Sequence, residues 1–66
     1  MKPGDKFRAI RKSNNKPAFK GILNPKGFVF TAEYERDGII TCTDENVNGH
    51  PYQIFTKFFD VEVVTN

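Results

Sequence analysis

Between Lys26 and Glu45 apolar and polar positions alternate. Phe28, Phe30, Ala32 and Tyr34 recur at every second position, with Thr31, Glu33 and Glu35 between them and Val29 the one apolar exception. Successive side chains of a strand point to opposite sides, so a period of two marks a strand with one buried face. The run Ile39-Ile40-Thr41-Cys42-Thr43 is short and β-branched, which predicts a partner strand. The apolar sets discriminate between turns. A two-residue loop at Asp37-Gly38 would set Tyr34 opposite Thr41 and Glu33 opposite Cys42, with the apolar sets on opposite faces. A three-residue loop, Arg36-Asp37-Gly38, sets Tyr34 across from Ile40 and Ala32 across from Cys42. The three-residue form is expected, with Gly38 at positive φ, because a slip of one residue inverts a whole strand.

The same pattern extends along the chain. Pro3-Gly4 marks a turn, and Lys6 to Lys12 predicts a first strand with Phe7 and Ala9 inward and Lys6, Arg8 and Lys12 outward. Ile10 interrupts the alternation and predicts a bulge or a two-sided position. Ser13 to Gly27 holds two Pro, two Gly and three Asn, which excludes a single regular element. Phe19 and Ile22 are expected to pin this long loop to the body, with room for a short irregular strand at 18–23. Asn48-Gly49 marks the next tight turn, and Tyr52 to Phe55 a fourth strand. Thr56-Lys57-Phe58 breaks the alternation, as a single 3₁₀ turn would. Phe59 to Val64 predicts the last strand, with Phe59, Val61 and Val63 in and Asp60 and Glu62 out. Five short strands without helical period or internal repeat predict one all-β domain over residues 1–66, a small barrel.

Composition narrows this picture. A chain of 66 residues buries only about 60% of its unfolded surface, and seven Phe with two Tyr supply large burial from few residues. The single Cys42 excludes an internal disulfide, suits a reducing compartment and is expected as a small apolar residue of the hairpin face. No apolar run approaches the roughly 18 residues of a membrane span, and no signal-peptide pattern is present, so a soluble, cytoplasmic protein is expected. The net charge of +2 conceals a split. Residues 1–27 hold eight Lys and Arg against Asp5 alone, a net of +7; residues 28–66 hold two against seven acidic residues, a net of −5. Such polarity points either to a charged partner or to strands that carry complementary charges.

Motifs for chemistry are missing. His50 lies in a Gly-His-Pro turn with no ligand spacing and no nucleophile beside it, and is expected in solvent. Asp44-Glu45 is expected as a solvated pair at a strand end. Gly21 and Gly27 are too scattered for a phosphate loop. No catalysis, metal or cofactor is expected.

The layout resembles the SH3-like barrel. Ser13 to Gly27 is similar to the long loop that follows that family's first strand. Phe55-Thr56-Lys57-Phe58-Phe59-Asp60-Val61-Glu62-Val63 is similar to its closing segment, a 3₁₀ turn and a last strand. Gly4-Asp5-Lys6-Phe7 is similar to the Gly-Asp start of many bacterial SH3-like domains. The resemblance implies a five-stranded SH3-like barrel. It does not imply proline-rich ligands, because the loop here is basic where signalling members carry an acidic loop and paired aromatics.

A local stretch, Lys26-Gly27-Phe28-Val29-Phe30, is similar to the Lys-Gly-Phe-Gly-Phe core of cold-shock domains, with Val29 in place of a Gly. There both rings stack on bases, worth about 1–3 kcal/mol per base. That resemblance implies single-stranded nucleic-acid binding through Lys20, Lys26, Phe28 and Phe30. Outward rings, however, would turn Glu33 and Glu35 inward, and a buried unpaired carboxylate is costly. The alternation itself therefore favours both rings as core. The abundance of Asn, Lys, Ile and Phe in a compact chain is similar to small accessory proteins of tailed phages, which implies action on a host factor.

The leading expectation is a non-enzymatic module that docks on an acidic protein partner through Arg8, Arg11, Lys12, Lys16, Phe19 and Lys20, as a monomer or an edge-paired dimer. Single-stranded nucleic-acid binding is the alternative. A third class, an inhibitor presenting Glu33, Glu35, Asp44 and Glu45 as a nucleic-acid mimic, rests on a short acidic run.

Overall fold

Alternation produces strands where it predicts them. The computed structural model describes residues 1–19, 21–22, 25–44 and 50–64. They form β1 (Lys6–Arg11), β2 (Phe30–Arg36), β3 (Ile39–Asp44), β4 (Pro51–Phe55) and β5 (Phe59–Val63). The strands make one antiparallel sheet in the order β4-β3-β2-β1-β5. No ladder joins β4 to β5 among the described residues, so the sheet is open and both are edge strands. No helix of the described residues is long and apolar enough to cross a membrane.

One side of the sheet carries the core: Phe7, Ala9, Phe30, Ala32, Ile40, Cys42 and Ile54, joined by Ala18 from the long loop. Phe28, Tyr52, Phe59 and Val61 pack against it. Phe7 and Phe30 are register partners across β1 and β2, with ring centroids 5.6 Å apart. Each buried ring contributes roughly 1.5–3 kcal/mol, which is why so few residues suffice. The inward set of β5 ends at Val61; Val63, expected inside, is 55% exposed at the end of an edge strand. Ile10 makes no bulge: it pairs with Asp60 on β5 in unbroken register, bridges to Pro17 on its other edge, and is half-buried between the buried Ala9 and the exposed Arg11.

The β2–β3 connection corrects the expected turn. Arg36 pairs with Ile39, so the loop is the two-residue Asp37-Gly38. Both residues have positive φ, +53° and +76°, as a type I′ turn requires, and Asp is among the few side chains that tolerate it. The parity problem is solved inside the strand. A bulge between Ala32 and Tyr34 inserts Glu33, and Ala32 still faces Cys42 as expected. Beyond the bulge Tyr34 pairs with Thr41 instead of Ile40, and its ring is 54% exposed.

β2 begins at Phe30, not Phe28, and pairs with β1 only at Lys6 and Phe7. Further along β1 the long loop takes over that edge. Arg11 N–H donates to the Lys16 carbonyl (2.9 Å) and Ala18 N–H to the Ala9 carbonyl (2.8 Å). The bridge at Pro17 is isolated, and none of the described residues of 18–23, where a short irregular strand had room, lies in a strand; Lys20 and Leu23 are outside the described residues. The pin is Ala18, 1% exposed, over which the chain returns at Gly27. A Cβ on Gly27 would lie 2.7 Å from both the Ala18 oxygen and the Pro17 Cβ, and its φ is +86°. Ile22, expected as an anchor, is 99% exposed, since Ala18 and the Phe19 ring already fill the contact.

The β4–β5 connection is short. Phe58 N–H donates to the Phe55 carbonyl (2.9 Å), a single i→i+3 turn with the bond pattern of the 3₁₀ turn expected at Thr56-Lys57-Phe58. The Asn48-Gly49 turn lies outside the described residues, as do Lys20 and Glu45.

Candidate functional site

Strand parity builds the site at the far end of β1. Arg11 follows Phe7 and Ala9 at period two, so the inward face of β1 ends on a cation. Its register partner on β5 is Phe59, and the guanidinium carbon lies 5.5 Å from that ring's centre. Lys57 stands in the same relation to Phe58, with Nζ 5.5 Å from the ring centre. Such contacts are worth about 0.5–1 kcal/mol at exposed sites and leave the charge open to a ligand.

Hydrogen bonds hold the two walls together. Lys12 N–H donates to the Phe58 carbonyl (3.0 Å), which ties the end of β1 to the β4–β5 turn. On the turn's other flank, Thr56 donates from N–H (2.9 Å) and from Oγ1 (2.8 Å) to the Gly38 carbonyl. Between the walls lies a surface hollow of about 540 Å³ lined by Arg11, Lys12, Ser13, Lys57, Phe58 and Phe59. A second hollow of about 330 Å³ shares Arg11 and adds Asn14, Lys16, Pro17 and Phe19.

The basic residues expected to form one face divide between two. Arg8 sits on the outer face of β1 and Lys12 just beyond the strand's end, with Arg8 3.8 Å from Glu62 and Lys12 3.9 Å from Asp60. Two cations of the basic part are thus matched by acidic residues of β5, and each exposed pair is worth about 0–1 kcal/mol. Arg11 and Lys16 meet no carboxylate among the described residues and flank the second hollow with Phe19. Phe19 has a left-handed backbone, φ +59°, unusual for a bulky residue. Its ring stacks on Phe28 at 5.1 Å, lies 5.4 Å from Tyr52 and stays 45% exposed.

Lys57, Phe58 and Phe59 were read from the sequence as a turn and the start of the last strand, not as site residues, although one signal was present. Phe58 falls in the segment that breaks the alternation, so the pattern assigns its ring no place on the buried face. Phe58 is 57% exposed.

Of the nucleic-acid set, Lys26, Phe28 and Phe30 are among the described residues. Phe30 is fully buried, so it offers no face to a base, and Phe28 is partly buried beneath Phe19. Lys26 is exposed. Of the acidic set, Glu33 and Glu35 are exposed, but Asp44, expected in solvent, is 3% exposed.

Other reactive groups are subdued. Cys42 is buried; desolvation first, and the Glu33 charge second, push its thiol from 9.0 up to about 11. A protonated, covered thiol is a poor nucleophile and a poor metal ligand. His50 is exposed and rests on Tyr52, ring centres 4.6 Å apart. Among the described residues no group of three or more His, Cys, Asp or Glu could hold a metal ion. No protein-family model, no curated protein and no solved structure matches the chain.

Proposed function

We propose that this chain is a non-enzymatic binding module on an SH3-like half-barrel, and that it docks on an acidic protein partner through the face centred on Arg11. The strand order and the long loop after β1 support the SH3-like reading. The observation that carries the docking reading is the pairing of Arg11 and Lys57 with rings rather than carboxylates, above an open hollow. The covered Cys42 thiol supports a role without nucleophilic catalysis and suits a reducing, cytoplasmic setting. A protein partner is favoured over nucleic acid because Asp60 and Glu62 interrupt the basic track. A polyphosphate backbone needs cations in succession.

Titration of the ¹⁵N-labelled protein with poly-glutamate and, separately, with an oligo-dT tests this. Poly-glutamate should shift the amides of Arg11 to Ser13 and Lys57 to Phe59, and an Arg11→Glu, Lys57→Glu double variant should lose the response. Salt should weaken it, since the contact is exposed. Shifts confined to other strands, or oligo-dT binding more tightly than poly-glutamate, would overturn the reading.

A further inference from the structure

Arg11 belongs to the wall of both hollows, and an apolar wall stands on each flank: Phe58 and Phe59 on one, Phe19 and Pro17 on the other. An anion drawn to Arg11 therefore meets apolar surface on both sides. We infer that the partner presents an extended acidic segment in which one carboxylate is flanked, two residues away on each side, by an aromatic or large aliphatic residue. The inference rests on the docking reading above and adds an apolar requirement to it.

Each part of that segment answers to a feature of the surface. A guanidinium can take a carboxylate through two parallel N–H bonds while its plane stays against a ring, so Arg11 need not leave Phe59 to bind. Phe58 and Phe19, 57% and 45% exposed, gain from being covered by apolar groups. In an extended segment, residues two apart point to the same side, which sends the carboxylate and both apolar side chains to one surface. The charge that selects the segment is local. Arg11, Lys16 and Lys57 have no carboxylate against them among the described residues, whereas Arg8 and Lys12 are already matched by Glu62 and Asp60.

Two labelled peptides test this by fluorescence polarisation on the unaltered protein. Both are extended Glu-Ser repeats with a central Asp; one carries Phe two residues before and after it, the other Ser at those places. The Phe peptide should bind at least about tenfold more tightly, roughly 1.4 kcal/mol, a modest return for two covered rings. Phe58→Ser should remove about half of that advantage, since the Phe19 flank remains, while Arg11→Gln should weaken both peptides. Equal affinity of the two peptides overturns the inference and leaves the docking reading standing. No binding of either peptide at low salt overturns both. Tighter binding of a single-stranded oligonucleotide than of the Phe peptide also overturns both.

Discussion

The long β1–β2 connection and the short β4–β5 connection flank the same end of the sheet and are secured by different means. The long one adds fit to its backbone hydrogen bonds with β1: Ala18 fills the core, and Gly27 returns over it where a Cβ would lie 2.7 Å from two atoms. The short one is held by hydrogen bonds alone, from Thr56 to Gly38 on one flank and from Lys12 to Phe58 on the other. Each leaves an aromatic ring displayed, Phe19 in the first and Phe58 in the second, and Arg11 stands between them. Steric fit tolerates little change, because a backbone atom cannot step aside. Hydrogen bonds at the surface exchange with water at small net cost. A substitution in the long connection should therefore disturb the core, and one in the short connection only the site.

Gly27→Ala tests the first half of that contrast and has the largest expected effect. The methyl group must push the chain away from Ala18, and an L-residue at φ +86° is strained even in open space. Together these should cost about 3 kcal/mol, of the order of a core defect. Thermal or urea unfolding measures the loss. Stability within about 0.5 kcal/mol of the parent would show that the loop is not held by fit.

Cys42 sharpens the contrast, because it reports on the core from the centre of the sheet. Its folded pKa is raised from 9.0 to about 11. Below pH 9 both folded and unfolded thiols are protonated, and the contribution to stability is fully present. Between pH 9 and 11 only the unfolded chain sheds its proton, so stability falls with rising pH by about 1.4 kcal/mol per unit, roughly 2–3 kcal/mol in all. Comparison with Cys42→Ala isolates this from the lysines: the steeper decline should be confined to the parent. Parallel pH profiles for the two proteins would show that the thiol is not desolvated. Gly27→Ala should also raise the rate at which thiol reagents reach Cys42.

The strands and most of the core were legible because a period of two needs only local sequence. Phe7, Ala9, Phe30, Ala32 and Cys42 are where alternation sends them. The parity argument for the hairpin found the right partners in Ala32 and Cys42 but put the extra residue in the turn, whereas the chain puts it at Glu33. Either solution restores parity, and the choice depends on Asp37 accepting positive φ, which no pattern of faces reveals. The candidate site was half legible. Arg11 was visible as one cation among several, but its place over Phe59 depends on the β1–β5 register, a pairing of opposite ends of the chain. The same register matches Arg8 and Lys12 with acidic residues, so a count of charges along the sequence overstated the free basic face. Gly27 read as a loop glycine, and only the approach of Ala18 shows why it has no side chain.

Thr56→Val has the smallest expected effect and probes the short connection. Valine keeps the shape and branching of threonine, so what it removes is the Oγ1 bond to the Gly38 carbonyl, while the backbone N–H of residue 56 still donates there. The carbonyl keeps one partner and the site is partly solvated, so the cost should be about 1 kcal/mol or less. Thr56→Ser, which retains the hydroxyl, should recover most of it. The informative outcome concerns the hollow. The turn carries Lys57 and Phe58, and its Gly38 flank now has one bond where it had two. Peptide affinity at the Arg11 face should therefore fall more than stability does, and Cys42 should stay covered. If Thr56→Val instead destabilises the fold as much as Gly27→Ala and exposes the thiol, the two connections are one cooperative closure. The distinction between fit and hydrogen bonding would then not hold for this sheet.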